Sequence, residues 1–328
     1  MLEARHLRIV RAISDTGSLT KAAVELGLTQ PALTHQLHRM ERLFGGPLFV
    51  RDRRGARPTP LGMHVIERAR FVLPSMDALV REARILAGGQ DSAAPQIRVA
   101  THASPLPVAV VAALREVMPA SQVSMRTEPS AQRQLELLAA GALEVAILAE
   151  YPSLPMPRPV EVVVHEVATE PLFVALSARR ALAAAREVAL TELAGESWIL
   201  AEDADARSAE YLRQICDQVG VTPKIAYRVT SQVARDLISR GLAVGLFQPT
   251  AAASEGVVFR PLKGSPAELR HVIAVRAGSP VARYGAELAE AARASYWAHA
   301  ARSPVYREWL SRRRTIASGA GAGAGGPR

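Results

Sequence analysis

Along the first sixty residues the apolar positions recur at helical spacing. Leu7, Val10 and Ile13 mark one face of a short helix between Ala4 and Ser14, and Asp15-Thr16-Gly17 breaks it. Ser18 is suited to cap a second helix carrying Ala22, Ala23 and Leu26, which Gly27 can end in the left-handed conformation. Thr29 then caps a third helix, with Pro31 in its first turn and Leu33, Leu37, Met40 and Phe44 as its buried stripe. Two short helices joined by a tight turn containing Gly form a helix-turn-helix unit, and the small Ala23 lets them cross closely. After Gly45-Gly46-Pro47, the strand-like Leu48-Phe49-Val50 leads into an arginine-rich hairpin from Arg51 to Thr59, with the shape of a wing.

From Leu61 onward, Val65, Ala69, Val72, Met76, Leu79 and Ala83 step by three and four residues, close to a heptad seam. Such a stripe calls for another helix, either in the chain's own body or in a second subunit. Pro74 interrupts the stripe and predicts a bend. Gly88-Gly89-Gln90-Asp91-Ser92 reads as a linker. Beyond it, β-like runs (Ile97 to Ala100, Gln122 to Arg126, Val145 to Leu148) alternate with helical ones (Leu106 to Met118, Ser130 to Ala140). A second set follows: Leu172 to Leu176, Trp198 to Leu200, a helix from Ser208 to Val219, Ile225 to Val229, a helix from Gln232 to Arg240, and Ala243 to Phe247. Val272 to Val275 and a helix from Val281 to His299 would return to the first set.

The pattern predicts an α/β fold in two lobes with parallel sheets, preceded by an all-α winged helix-turn-helix. The expected boundaries are 1–60 for the head, 61–90 for the connecting helix and 91–301 for the body. Within the body, lobe I would span about 96–168 and 270–300, and lobe II about 169–269. Residues 302–328 form a basic, Gly/Ala-rich tail whose end is too simple in composition to fold.

Charge separates the same blocks. The head and connecting helix hold 14 basic against 8 acidic residues, the body 20 against 22, and the tail 6 against 1, for a net charge of +9. A basic unit on a neutral body is the footprint of a polyanion binder joined to something else. The bias of 37 Arg to 3 Lys runs through the whole chain, so it reads as background composition. On the third helix, Gln30, Thr34, His35, His38, Arg39 and Arg42 form a polar, basic strip without an acid, suited to a major groove, and the wing arginines are suited to phosphates.

Other chemistry finds little support. The single cysteine, Cys216, cannot make an internal disulfide, and His6, His35, His38 and His64 have no thiolate or carboxylate company at ligand spacing, so no metal or cofactor is expected. No nucleophile elbow, phosphate-binding loop or zinc-protease motif occurs, so no catalytic residues are expected. Neither a secretory leader nor a membrane-spanning run is present, which predicts a cytoplasmic protein with no membrane partner.

Thr29-Gln30-Pro31-Ala32-Leu33-Thr34, followed by Leu48-Phe49-Val50-Arg51 and Pro58-Thr59-Pro60-Leu61-Gly62, resembles the N-terminal domain of LysR-type transcriptional regulators. The resemblance implies DNA contacts by Gln30, Thr34, Arg51, Arg53 and Arg54. Ser18, Thr29, Pro31, His35, His38 and Arg39 complete the candidate DNA-binding set. It also implies pairing of the seam between subunits, as a dimer or tetramer, and a two-lobed effector domain resembling periplasmic binding proteins. Gly45-Gly46-Pro47 departs from the family pattern at the approach to the wing.

In open α/β sheets, ligands bind beyond the carboxyl ends of strands. Three turns there carry hydroxyls beside helix N-termini: Thr101-His102-Ala103-Ser104, Thr127 to Ser130, and Thr230-Ser231. Each hydroxyl could equally serve only as a helix cap. The resemblance adds Glu202, Arg207, Phe247 and Gln248 to the cleft, Gln248 standing where the family commonly has a leucine. Together these residues predict a small anionic metabolite, such as a carboxylate, controlling a sequence-specific DNA-binding regulator, with RNA polymerase as a further candidate partner. Two rival readings remain open on the sequence: a DNA-tethered α/β enzyme acting on a small acid, and a DNA-binding protein that needs no effector.

Overall fold

The computed structural model describes residues 2–52, 55–86, 94–102, 104–201, 207–251 and 254–320. The chain divides into two compact units, Met1–Ala94 with Ala139–Ala142, and Pro95–Leu138 with Leu143–Arg328.

The first unit contains α1 (Ala4–Thr16), α2 (Leu19–Glu25), α3 (Gln30–Phe44), a hairpin of β1 (Phe49–Asp52) and β2 (Gly55–Pro58), and α4 (Pro60–Leu86). The predicted caps operate: Ser18 Oγ accepts from Lys21 N–H, and Thr29 Oγ1 accepts from Ala32 N–H. The run Pro58 to Gly62 has a mechanical role. Thr59 Oγ1 donates to Pro47 O (2.7 Å) and accepts from Gly62 N–H (3.0 Å), fixing the start of α4 against the entry to the wing. Gly62 approaches so closely that a Cβ there would lie 1.9 Å from Leu48 O. Only glycine fits.

The seam on α4 divides between two environments. Val65 and Ala69 are 6% and 0% exposed and pack with Val10, Ile13, Leu37 and Leu48 in the core of their own unit. For these two residues the chain's own body covers the stripe, and the pairing between subunits that the resemblance implies does not use them. Val72, Met76 and Leu79 are 42%, 44% and 66% exposed, and Ala83 is exposed as well. The helix continues through Pro74.

The second unit begins with β3 (Gln96–Thr101), α5 (Pro107–Val117), β4 (Gln122–Thr127), α6 (Ala131–Ala139), β5 (Val145–Glu150) and β6 (Val162–Pro171). The other lobe contains β7 (Phe173–Ser177), β8 (Ser197–Ala201), α7 (Arg207–Asp217), β9 (Lys224–Val229), α8 (Ser231–Ser239), β10 (Val244–Phe247) and β11 (Val257–Pro261). The chain returns through β12 (Glu268–Arg276) to α9 (Gly285–Ala300) and α10 (Pro304–Ala320).

Lobe I has the strand order β4-β3-β5-β12-β6 and lobe II the order β11-β7-β10-β8-β9. Both sheets are mixed. β3 runs parallel to β4 and β5, but β12 is antiparallel to β5 and β6; β8 is parallel to β9 and β10, but β7 is antiparallel to β10 and β11. The wholly parallel expectation fails because the chain crosses between the lobes on long strands, β6 outward and β12 back, instead of on helices. β6 and β11 had no counterpart in the sequence reading.

The last helix also departs from expectation. Residues 304–313 are not a solvated tail: Tyr306 is 1% exposed, and Val305, Trp309 and Leu310 pack against the lobe I core. Tyr306 meets Phe173 edge-on at 6.2 Å, and Arg313 covers the Trp309 ring at 4.5 Å. The arginines supply the charge, while an aromatic stripe at i, i+3 does the packing. Residues 321–328, the end of the expected tail, lie outside the described residues.

Candidate functional site

In the first unit, α3 presents Gln30, Pro31, His35, His38 and Arg39 to solvent, with Thr34 half-buried between them. Gln30 Oε1 accepts from Thr20 Oγ1 (3.2 Å), so the start of α3 is braced by α2. Ser18 and Thr29 act as helix caps, and His38 Nδ1 lies 3.1 Å from Glu41 Oε2. Glu41 also accepts from Leu48 N–H (3.0 Å), tying the end of α3 to the wing. Arg51 is exposed on β1; Arg57 pairs with Asp52 across the hairpin at 2.7 Å. Arg53 and Arg54 lie outside the described residues. His6 is buried, accepting from Glu3 N–H at Nδ1 and lying 3.2 Å from Gln36 Oε1 at Nε2, so its role is structural.

In the second unit a cavity of about 720 Å³ opens between the lobes. His102, Ser104, Thr127, Arg207, Thr230, Ser231, Phe247 and Gln248, all expected at the cleft, do line it. Thr101 and Ser130 do not. Thr101 is 5% exposed and donates to His102 O, while Ser130, 3% exposed, accepts from Arg133 N–H as a cap of α6. For Ser130 the capping alternative describes the observed geometry; Thr101 is turned into the strand end and caps no helix. Ala103 and Glu202 lie outside the described residues.

Most of the remaining wall escaped the sequence reading. Tyr151 and Tyr211 stack at 4.1 Å between centroids and 16° between planes, and Trp198, Leu172, Leu246 and Leu269 extend the apolar surface. Trp198 and Leu200 had shown a strand alternation, but nothing local marked which lobe face they would occupy. Arg235 lines the cavity from α8, and Arg207 donates to Leu154 O. The described lining includes no Asp or Glu.

Several polar atoms at this wall are buried without a partner: His102 Nε2, Ser104 Oγ and Trp198 Nε1. Burying such groups unsatisfied is costly. The first turn of α8 is also uncapped by any side chain, Thr230 making no cap hydrogen bond.

Behind His102 a polar chain crosses the core. The His102 and His271 rings stack at 5.6 Å and 15°. His271 Nε2 is 2.7 Å from Glu170 Oε1, Tyr296 Oη donates to Glu170 Oε2 (2.9 Å), and Tyr306 Oη lies 3.0 Å from Tyr296 Oη. Burial, reinforced by the charge of His271, lowers the pKa of His102 from 6.5 to about 4. Burial likewise pushes Tyr296 far up and Tyr306 up to about 12, so both stay protonated donors. The same cavity is latched from the end of α9 and the turn after it: His299 Nε2 lies 3.1 Å from Thr250 O, and Ser303 Oγ donates to Pro249 O (2.7 Å).

Cys216 is buried in α7, and burial raises its thiol to about 11, which keeps it out of thiolate chemistry at neutral pH. Among the described residues, no cluster of three or more His, Cys, Asp or Glu could hold a metal ion, and no helix is long and apolar enough to cross a membrane.

Comparisons with known proteins agree with both units. Residues 4–63 match the family model of the bacterial regulatory helix-turn-helix proteins of the lysR family, and residues 90–297 match the LysR substrate binding domain. The chain is 36% identical over 307 residues to the small neutral protease regulatory protein of Streptomyces coelicolor, covering 93% of this chain and 96% of that one. It is 29% identical to the HTH-type transcriptional regulator ClcR of Pseudomonas putida, over 76% of this chain and 84% of the relative. Among solved structures, the LysR family regulator CbnR superposes with a TM-score of 0.59 at 22% identity, covering 90% of this chain and 99% of that one. With a helix-turn-helix in the first unit, a two-lobed cavity in the second and family models matching both, the chain belongs to the LysR family of transcriptional regulators.

Proposed function

We propose that this protein is an effector-controlled regulator whose α3 reads a major groove while Arg51 and its neighbours on the wing neutralise phosphates. Gln30, Thr34, His35, His38 and Arg39 are the base-facing candidates, and the start of α3, held by Thr29 and Pro31, sets their pose. Two heads would read a pseudo-palindromic site, joined through Val72, Met76, Leu79 and Ala83 of α4. That CbnR has been solved with its target DNA supports the DNA reading. The setting is the cytoplasm, with RNA polymerase as a further partner, and no catalytic step is assigned.

The effector is a small molecule held in the cavity between the lobes. The observation that carries this reading is the group of unpartnered polar atoms, His102 Nε2, Ser104 Oγ and Trp198 Nε1, at a cavity of about 720 Å³. An anionic group on the ligand would sit at the other end, where the uncapped first turn of α8, Thr230 and Ser231 accompany Arg235. Binding shifts the equilibrium between two arrangements of the heads only through unequal affinity for them.

The test is fluorescence anisotropy on the DNA upstream of the protein's own gene, against shuffled DNA at several salt concentrations. Wild type should prefer the former. Gln30→Ala should lose about 1 to 3 kcal/mol on that site alone, whereas Arg51→Ala should weaken all DNA and lower the salt slope by about 1. Equal weakening of both DNAs by Gln30→Ala would remove α3 as the reader.

A further inference from the structure

We propose that the ligand of the cavity carries, at the end opposite its anionic group, a hydroxyl that donates its proton to His102 Nε2, with a body of aromatic dimensions that is apolar between the two. This inference rests on the reading of the cavity as the effector site.

The orientation of the His102 ring decides what it can offer. Its Nδ1 is 2.9 Å from Ile147 O, and a carbonyl oxygen only accepts, so Nδ1 bears the proton. The opposite nitrogen therefore presents a lone pair. Stacked against His271 and enclosed by the core, the ring stays neutral at physiological pH. His102 Nε2 is thus a buried acceptor without a donor, on a residue that lines the cavity.

Three kinds of ligand group are then disfavoured at that position: one that only accepts, a cation, and one that only donates. A carboxylate or an ether brings only lone pairs and would meet the lone pair of Nε2. An ammonium could donate, but the described lining offers no carboxylate to compensate its charge. An amide N–H could donate too, yet it cannot accept. Ser104, two residues along the same turn, brings an unpartnered Oγ with a proton to give. A hydroxyl both donates, as the Nε2 lone pair requires, and accepts, as the Ser104 proton requires. The rest of the ligand follows from the stacked Tyr151–Tyr211 wall with Leu172, Trp198 and Leu246, which favours an apolar, flat body.

The test uses the full-length protein and two probes with one skeleton, 4'-hydroxybiphenyl-4-carboxylate and its 4'-methoxy ether, with affinity measured by calorimetry. The phenol should bind about tenfold more tightly, the effect of one hydrogen bond to a buried acceptor. In His102→Phe, which keeps a ring against His271 but removes the acceptor, the two affinities should become equal. In His102→Gln, which keeps an acceptor, part of the preference should return. Equal affinities in wild type, or a preference that persists in His102→Phe, would overturn the hydroxyl assignment.

A Leu246→Trp variant, which fills the cavity, separates the two layers of the reading. Loss of all probe binding in that variant locates the probes in the cavity, so that any failure of preference counts against the hydroxyl alone. Binding unchanged by the filling, or no binding of either probe to wild type, overturns the effector-site reading and this inference with it.

Discussion

Removing one hydroxyl from each of the paired tyrosines in lobe I should have unequal consequences. Tyr296 has a single proton and directs it to Glu170 Oε2, so the 3.0 Å contact between the two hydroxyls must take its proton from Tyr306. Tyr306→Phe therefore removes a donor and leaves the Tyr296–Glu170 bond intact. Its cost is the net worth of one neutral hydrogen bond, about 1 kcal/mol. Tyr296→Phe takes a donor from a carboxylate that is 1% exposed and also strands the Tyr306 hydroxyl, which together cost roughly 3 kcal/mol or more. Tyr306→Ala adds the loss of ring contacts with Phe173 and Trp309 and should cost about 3 to 5 kcal/mol. Urea unfolding followed by tryptophan emission suits the question, because Trp198, Trp297 and Trp309 all lie in the second unit and the first has none. If Tyr306→Phe proved as damaging as Tyr296→Phe, the direction assigned to the chain of hydrogen bonds would be wrong.

Three further outcomes are expected. Gly62→Ala forces a Cβ against Leu48 O, so the first unit should lose at least about 3 kcal/mol, and DNA binding at 37 °C should fall while tryptophan-monitored unfolding stays unchanged. Leu79→Asp should lower the mass measured by light scattering, whereas Val65→Asp should unfold the head; an unchanged mass for Leu79→Asp would remove α4 as the subunit contact. Acidification from pH 7 to pH 5 should destabilise the second unit through His102 by about 2 kcal/mol. The unfolded ring takes up its proton near 6.5 and the folded one only near 4, so stability is complete above 6.5 and lost as pH falls through that window. A pH dependence in His102→Phe equal to that of wild type would contradict this.

The head was legible because its signals are local. Ser18, Thr29 and Pro31 act within a turn or two of where they stand, and the periodicity of Leu33, Leu37 and Met40 translates directly into burial. The α4 stripe misled because one periodic pattern serves two environments: Val65 and Ala69 complete the head, and Val72 onward faces away from it. β6 was missed since Val162 to Pro171 mixes His and Glu with valine and shows no clean alternation of apolar and polar positions.

The cavity was half legible. Its turns lie at strand ends, which topology rules can locate, so His102, Ser104, Thr127, Thr230 and Ser231 were found. Its aromatic wall and the Glu170–His271 contact, spanning 101 residues, depend on which face of a sheet meets which helix. No local spacing encodes that. Trp309 and Tyr306 were hidden by their own neighbours, since the arginines around them dominate the composition of that segment.

The latch from the end of α9 and the turn after it to the cavity loop also orders events in time. The carbonyls of Thr250 and Pro249 are held by His299 and Ser303, residues 49 and 54 positions later in the chain. Chains are made from the N-terminus, and domains fold as they emerge. The DNA-reading head is therefore complete long before the pocket that governs it has its last wall secured. A growing or prematurely ended chain that stops before His299 would be a head with an unfinished sensor, able to occupy an operator yet deaf to the molecule meant to move it. Competition from such fragments would act as a dominant, uninducible form of the regulator, and cells would gain from destroying them quickly.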